Sequence, residues 1–240
     1  MGEQAPGSES TSATNSNQSP KAFTKDVVYV LFDYSKSLDP NSIKVTAARA
    51  FDLVKNCPVG VTIKFLPINN EVFAQAVASH TRTSKPDKPK DVAPWQRQIG
   101  DDAAKAFKTI YDLYEQQDVK SCIVNGFTTV LNHAQNLPEG SRARLVVLSD
   151  MLECCEDLPC VQRFENLAPL MHRIEEYHLA SCPLSKYVPF ENITVVVNSS
   201  PNPQYQKISK SQEFYQFWDA VAKGMGYEKR WRFSPDLPTL

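Results

Sequence analysis

The stretch from Val27 to Ser37, VVYVLFDYSKS, decides how this chain folds. Its opening residues are apolar and mostly β-branched or aromatic, which is typical of a strand buried on both faces within a parallel sheet. The apolar run ends at Asp33, and Ser35 and Ser37 follow at alternate positions. Ligand sites of parallel α/β sheets lie just beyond the carboxyl ends of the strands. We therefore expect these three side-chain oxygens to point toward one site.

A second apolar run ends in the same way, because the segment 144–149, RLVVLS, leads directly into Asp150. Between the two runs, Asn125-Gly126 indicates a turn, and the pair Thr128-Thr129 opens a helical pattern. A threonine hydroxyl at such a helix start would complete a set of oxygen ligands. Hard divalent cations such as Mg²⁺ prefer oxygen ligands in proteins. The three segments together predict a metal site.

These motifs resemble the metal-ion-dependent adhesion site of von Willebrand factor type A (vWA) domains, including the inserted domains of integrins. The resemblance covers residues 26–224 and implies a doubly wound α/β fold, with a mostly parallel sheet, one antiparallel edge strand and helices on both faces. It implies Mg²⁺ as the cofactor, with Mn²⁺ or Ca²⁺ as alternatives. The implied metal ligands are Asp33, Ser35, Ser37, Thr128 and Asp150, with Thr129 as the alternative to Thr128. Met151 departs from the family pattern, which commonly has glycine there.

The resemblance implies a protein-binding module of the adhesion or scaffold type rather than an enzyme. In such a module an Asp or Glu of a protein partner completes the coordination of the cation. The rim that contacts the partner is predicted to include Tyr34, Lys36, Phe127 and Met151. The alternative is a metal-dependent phosphoesterase or other hydrolase that uses Asp33 and Asp150. The pattern favours it less, because Ser35 stands where such phosphatases have a second aspartate.

Length and composition are those of one α/β domain. The chain has 240 residues, of which 42% are hydrophobic, so it can bury one sizeable core. Its 26 basic and 27 acidic residues leave no basic footprint for nucleic acid. No apolar run approaches the roughly 18 residues that a membrane span needs. We predict a polar tail or tether over residues 1–25, the vWA-like domain over 26–224 and a C-terminal extension over 225–240.

Cysteine usage favours an oxidising compartment. The chain has six cysteines, an even number, and four of them fall in the segment that follows the Asp150 strand and its helix: Cys154, Cys155, Cys160 and Cys182. Such clustering favours disulfides, and Cys57 with Cys122 is a candidate further pair. A zinc site and reduced cytosolic cysteines are the alternatives. The polar tail resembles the spacer of bacterial lipoproteins, so we expect an extracytoplasmic or cell-surface protein; an ordinary disordered terminus and a cytoplasmic location remain alternatives.

The remaining periodicities place the other elements. A helix is expected over 43–54, and a hairpin of strands 61–68 and 71–77 around Asn69-Asn70. An exposed loop is expected from His80 to Pro94, followed by a helix from Trp95. Later segments predict a helix over 164–174, a strand over 193–197, a last helix closed by Gly224 and a short strand or packed tail around Trp231.

Overall fold

The computed structural model describes residues 25–35, 38–69, 74–116, 120–152, 190–197, 203–224, 226–227 and 229–240. Their six strands form one sheet, in the order β3-β2-β1-β4-β5-β6. All neighbouring pairs are parallel except β2 with β3, which is antiparallel and lies at one edge. The strands are β1 (Asp26–Phe32), β2 (Val61–Pro67), β3 (Ala78–Thr81), β4 (Arg142–Ser149), β5 (Phe190–Val197) and β6 (Trp231–Ser234). The predicted fold class is confirmed.

Strand β1 lies at the centre of the sheet, as its apolar sequence predicts. Every residue from Val27 to Phe32 is buried. Phe32 lies opposite Pro67 of β2 on one side and Leu148 of β4 on the other, so the three parallel strands end together. We call this end of the sheet the carboxyl edge. After β1 the chain forms β2 on one side of it, and later it returns to form β4 on the other side. This reversal of strand order is a switch point, and α/β sheets form ligand sites at such points.

Helices cover both faces of the sheet. Alternate residues of β1 supply the two apolar clusters, because successive side chains of a strand point to opposite faces. Val28, Val30 and Phe32 pack with α1 and α2, whereas Tyr29 and Leu31 pack with α3 and α5. The described helices are α1 (Pro40–Lys55), α2 (Pro89–Gln116), α3 (Ile123–Gln135), α4 (Pro203–Ile208) and α5 (Gln212–Gly224). Within the described ranges, no helix is both long and apolar enough to cross a bilayer.

The region between β2 and α2 differs from the sequence prediction. Strand β3 begins at Ala78, later than the predicted strand over 71–77, and α2 begins at Pro89, inside the segment predicted as a loop. Side chains of this segment make specific contacts that a periodicity does not show. His80 Nδ1 lies 2.7 Å from Asp102 Oδ2 on α2. Arg82 donates to the carbonyl oxygens of Val54 and Lys55, at 2.8 and 2.6 Å, and so binds the last turn of α1.

The C-terminal segment belongs to the sheet. Strand β6 pairs with β5 in parallel, so the stretch that the sequence analysis separated as an extension provides the second edge strand. Beyond β6, Leu237 and Leu240 pack against the cluster beneath α1 and α2. The predicted tail residues 1–24 and the helix predicted over 164–174 lie outside the described residues.

Candidate functional site

Asp33 is the first residue after β1 and stands at the carboxyl edge. Its backbone nitrogen donates to Leu148 O at 2.8 Å, which holds it beside the end of β4. The side chain has no solvent exposure. Its Oδ1 accepts from the backbone nitrogen of Ser35 at 2.9 Å. This turn brings Ser35 back toward the carboxylate, so the predicted convergence of Asp33 and Ser35 is present.

Two further hydroxyls reach the same carboxylate from other segments. Ser121 Oγ lies 3.0 and 2.9 Å from the two carboxylate oxygens of Asp33, and 2.8 Å from Ser35 Oγ. Ser149 Oγ, from the end of β4, donates to Asp33 Oδ2 at 3.0 Å. Three segments distant in sequence therefore converge on one buried carboxylate. We call Asp33, Ser35, Ser121 and Ser149 the oxygen cluster.

Burial and hydrogen bonding act on Asp33 in opposite directions. Burial raises the pKa of Asp33 because the charged form loses its water, while hydrogen bonds from Ser35, Ser121 and Ser149 lower it. Burial is the larger influence, so the net pKa of Asp33 is above its ordinary value. The partners that its hydrogen bonds show within the described ranges are hydroxyls and a backbone amide, which carry no positive charge. A bound cation would supply the missing opposite charge.

The oxygen cluster fits a hard cation. A serine hydroxyl carries one proton and two lone pairs, so a hydroxyl that donates to Asp33 still has a lone pair for a metal. Carboxylate and hydroxyl oxygens suit Mg²⁺ better than Zn²⁺, which prefers nitrogen and sulfur. Among the described residues, no group of three or more His, Cys, Asp or Glu side chains is placed to hold a metal. A site here therefore depends on neutral hydroxyls as much as on carboxylates.

Asp150 and Met151 form a tight turn beside the cluster. Asp150 is buried, and its Oδ1 accepts from Leu152 N at 3.1 Å. Met151 has a φ of 59°, in the left-handed region that favours glycine, the residue common here in the family that the sequence resembles. Two bonds hold this conformation: Met151 N donates to Ser149 Oγ at 2.9 Å, and Trp218 Nε1 of α5 donates to Met151 O at 3.1 Å.

The predicted threonine ligand lies elsewhere. Thr128 is in the second turn of α3, and its Oγ1 donates to Val124 O of the same helix at 3.1 Å. Ser121, two residues before the helix, supplies the hydroxyl that reaches Asp33 instead. The structure thus brings Asp33 and Ser35 together and places Asp150 next to Ser149, whereas the Thr128 hydroxyl bonds within its own helix and makes no hydrogen bond to the oxygen cluster.

The displaced helix start explains why Ser121 was missed. Asn125-Gly126 was interpreted as a turn, but α3 begins at Ile123 and continues through both residues. Gly126 packs closely on the sheet, because a Cβ there would lie 3.4 Å from side-chain carbons of Leu31 and Ile68, at the short end of ordinary contact. The available signal was a hydroxyl just before an apolar stretch, but the Asn-Gly pair suggested a later helix start.

The predicted rim is not exposed. Three of the four predicted rim residues, Tyr34, Phe127 and Met151, have at most 2% of their surface accessible. They therefore do not form the open contact surface that the sequence predicts. Tyr34 packs near the ring of Phe32, and Phe127 packs against the rings of both Trp218 and Trp231, because these side chains complete the two apolar clusters. The other two predicted positions, Lys36 of the rim and Ser37 of the metal set, lie outside the described residues.

Cys57 and Cys122 do not pair with each other, contrary to the candidate pairing. Cys57 is a free, buried thiol whose Sγ lies 3.5 Å from Val61 O. It belongs to the cluster under α1 and α2, whereas Cys122 belongs to the cluster on the opposite face of the sheet. The cysteines predicted to form disulfides between positions 154 and 182 lie outside the described residues.

Comparisons with known proteins give a distant structural similarity. Neither the models of known protein families nor the curated proteins contain a match to this chain. Among solved structures, the chain is similar to the PilB minor pilin from Streptococcus sanguinis, with 9% sequence identity and a TM-score of 0.48. The matched region covers 90% of this chain and 58% of the pilin, so the chain spans a little over half of that protein's length.

The contrast between Ser121 and Thr128 is directly testable. We expect Ser121→Ala to weaken Mg²⁺ binding by roughly ten- to a hundredfold, the range typical for groups that orient metal ligands. Thr128→Val removes a hydroxyl whose bond is to its own helix, so Mg²⁺ affinity should be unchanged. Isothermal titration calorimetry measures both, with Ser141→Ala as a control for removing a buried serine hydroxyl elsewhere. The reverse pattern, with only Thr128→Val weakened, would contradict this geometry.

The raised pKa of Asp33 predicts a pH-dependent stability of the metal-free protein. Because the folded state binds the Asp33 proton more tightly than the unfolded chain, this group stabilises the fold at low pH, and the contribution is lost as pH rises through the folded-state pKa. In EDTA, the free energy of unfolding of the wild type should therefore fall relative to Asp33→Asn as pH rises from acid toward neutral. Urea unfolding across this range measures the difference. A difference that is constant with pH would refute the prediction.

Proposed function

We propose that this chain is a vWA-type protein-binding module that holds a divalent cation, Mg²⁺ in the first instance, at the carboxyl edge of its sheet. A carboxylate from a protein partner would complete the coordination of that cation. One observation carries the proposal. Asp33 is buried at the switch point of the sheet, and it accepts hydrogen bonds from the hydroxyls of Ser121 and Ser149, which belong to two distant segments. The order of the strands and the antiparallel edge strand also support it.

Each residue has a distinct part in this proposal. Asp33 would supply the negative charge that holds the cation, and Ser35 and Ser121 would supply neutral oxygens. Ser149 acts through its neighbours: it donates to Asp33 and accepts from Met151 N, so it positions the carboxylate against the turn after β4. Asp150 is the second carboxylate available at this edge. When it is bound, the cation would offer a coordination position to the carboxylate of a partner.

The charge balance favours an acidic partner. Asp150 Oδ1 already accepts a bond from Leu152 N, which engages part of that carboxylate within its own turn. Asp33 is then the main anionic group within the oxygen cluster, while the other members are neutral hydroxyls. A divalent cation held mainly by one carboxylate keeps excess positive charge and attracts another oxygen anion. An Asp or Glu side chain is the form in which a protein partner presents such an anion.

Burial of the oxygen cluster decides how the proposal is tested. Asp33 and Ser149 have no exposed surface, and Ser35 has 2%. A folded partner is therefore a poor first probe, whereas acetate presents the same carboxylate on a very small molecule. Binding of metal and binding of the acid are also separable, because chloride salts supply the cation without a carboxylate.

We expect calorimetric titration with MgCl₂ and MnCl₂ to show one site in the wild type and none in Asp33→Asn. Sodium acetate should strengthen Mn²⁺ binding to the wild type, because the acid completes the shell. The control is Asp112→Asn, which removes a partly exposed carboxylate paired with Lys108 on α2 and should leave both results unchanged.

Three outcomes would overturn the proposal in whole or in part. Equal Mn²⁺ binding by the wild type and Asp33→Asn would remove the metal site from this edge. Mg²⁺-dependent hydrolysis of p-nitrophenyl phosphate that is lost in Asp33→Asn would replace the binding function with the hydrolase alternative. Binding of Mn²⁺ without any response to acetate would retain the metal and exclude the acidic partner.

We further propose that the chain works in an oxidising, extracytoplasmic compartment, tethered through its polar N-terminal segment. We infer that Cys122 is disulfide-bonded, and such a bond supports this location because structural disulfides persist where glutathione does not reduce them. A maleimide added to denatured, unreduced protein should modify Cys57 and leave Cys122 unmodified until a reductant is added. Peptide mass mapping reports both positions. Modification of Cys122 without reductant would refute this location.

A further inference from the structure

A second candidate site lies on α3, beyond the oxygen cluster. The chain there forms a cavity of about 140 Å³ between the helix and the segment that precedes β3. Four of its lining residues follow one another at the spacing of a single helix face, and the fifth comes from the preceding segment. The lining residues are Gln75, Thr129, Asn132, His133 and Asn136. Thr129, the alternative metal ligand of the sequence analysis, thus lies in this cavity.

The described residues that line the cavity all carry a polar group on their side chains. Three of its side chains are carboxamides, and each offers both donors and an acceptor. None of the described residues that line it is a lysine, arginine, aspartate or glutamate. An uncharged wall of this kind gives no electrostatic preference for a phosphate, a carboxylate or a metal ion. It suits a neutral ligand whose groups also donate and accept hydrogen bonds.

The polar groups are held in place by local bonds. His133 Nε2 lies 3.0 Å from Ala74 O, and because a carbonyl only accepts, the proton of this contact is on Nε2. In the neutral ring Nδ1 is then an acceptor. Asn136 Nδ2 donates to Asn132 O at 2.9 Å, which orients its side chain along the helix. Asn132 and His133 are half-buried, so the site is partly formed before any ligand arrives and is still accessible.

The size of the cavity limits the ligand. Sites for drug-sized ligands commonly enclose about 300–1,000 Å³, and this cavity is smaller. A bound peptide needs an extended groove or an open sheet edge, which a cavity of this size does not provide. A single ring that carries several hydroxyl groups meets both requirements, because it is compact and each hydroxyl donates and accepts.

We propose that this cavity binds one residue of a neutral carbohydrate. The carboxamides of Gln75, Asn132 and Asn136 bond to its hydroxyls or to an N-acetyl group. Binding here does not need the cation, because no member of the oxygen cluster lines the cavity. The carbohydrate site and the proposed metal site therefore succeed or fail separately.

Saturation-transfer difference NMR and calorimetry with N-acetylglucosamine and its β-1,4-linked disaccharide test this inference. We expect binding with a millimolar dissociation constant, weakened at least fivefold in Asn132→Ala. That substitution raises helix propensity, so a loss of binding would not reflect loss of the helix. Gln135→Ala is the matched control: it removes a carboxamide from the same helix at a position that does not line the cavity.

Two further measurements complete the test: one asks whether binding depends on metal, and the other whether it depends on the charge of the sugar. Binding should persist in EDTA and in Asp33→Asn, and N-acetylglucosamine should bind more tightly than glucose 6-phosphate. No saturation transfer from the full chain to either neutral sugar at tens of millimolar would overturn the proposal. Equal affinity of the wild type and Asn132→Ala, or tighter binding of the phosphorylated sugar, would also overturn it.

Discussion

The carboxyl edge of the sheet is organised around one buried carboxylate. Asp33 has no solvent-exposed surface, and burial of an ionised group costs free energy unless opposite charge or hydrogen bonds compensate it. Ser121 and Ser149 meet part of this requirement, and to do so the start of α3 and the end of β4 must both come to the end of β1. The geometry of the candidate site and the packing at the sheet edge therefore both follow from the need to compensate this buried carboxylate.

The turn after β4 connects this edge to the C-terminal helix. Ser149 contacts Asp33 on one side and Met151 on the other, and Met151 is in turn bonded to Trp218 of α5. A non-glycine residue in the left-handed region is strained by roughly 1 kcal/mol or more. Burial of the Met151 side chain in the apolar cluster offsets that strain, whereas its two backbone hydrogen bonds would form equally well with glycine.

Ser35 and Ser121 illustrate what sequence reasoning found and what it missed at the site. Ser35 was predicted because it follows Asp33 closely in sequence, and local geometry alone turns it back toward the carboxylate. Ser121 is 88 residues from Asp33 in sequence. It lies beside that carboxylate only because of where α3 packs on the sheet. Asn125-Gly126 misplaced the start of that helix, because a glycine inside a helix that packs on Leu31 looks the same in sequence as a glycine required for a turn.

The sequence by itself determined the buried central strand, the carboxylate at its end and the α/β class, because hydrophobic periodicity is a local property that burial imposes directly. Tertiary structure alone decided which hydroxyls meet Asp33, that Tyr34 and Phe127 are buried instead of exposed, and that the segment at Trp231 pairs with β5 as a sixth strand rather than packing as a tail. Each of these depends on contacts between residues distant in the chain. Such contacts are set by how helices pack on the sheet, which no single segment encodes.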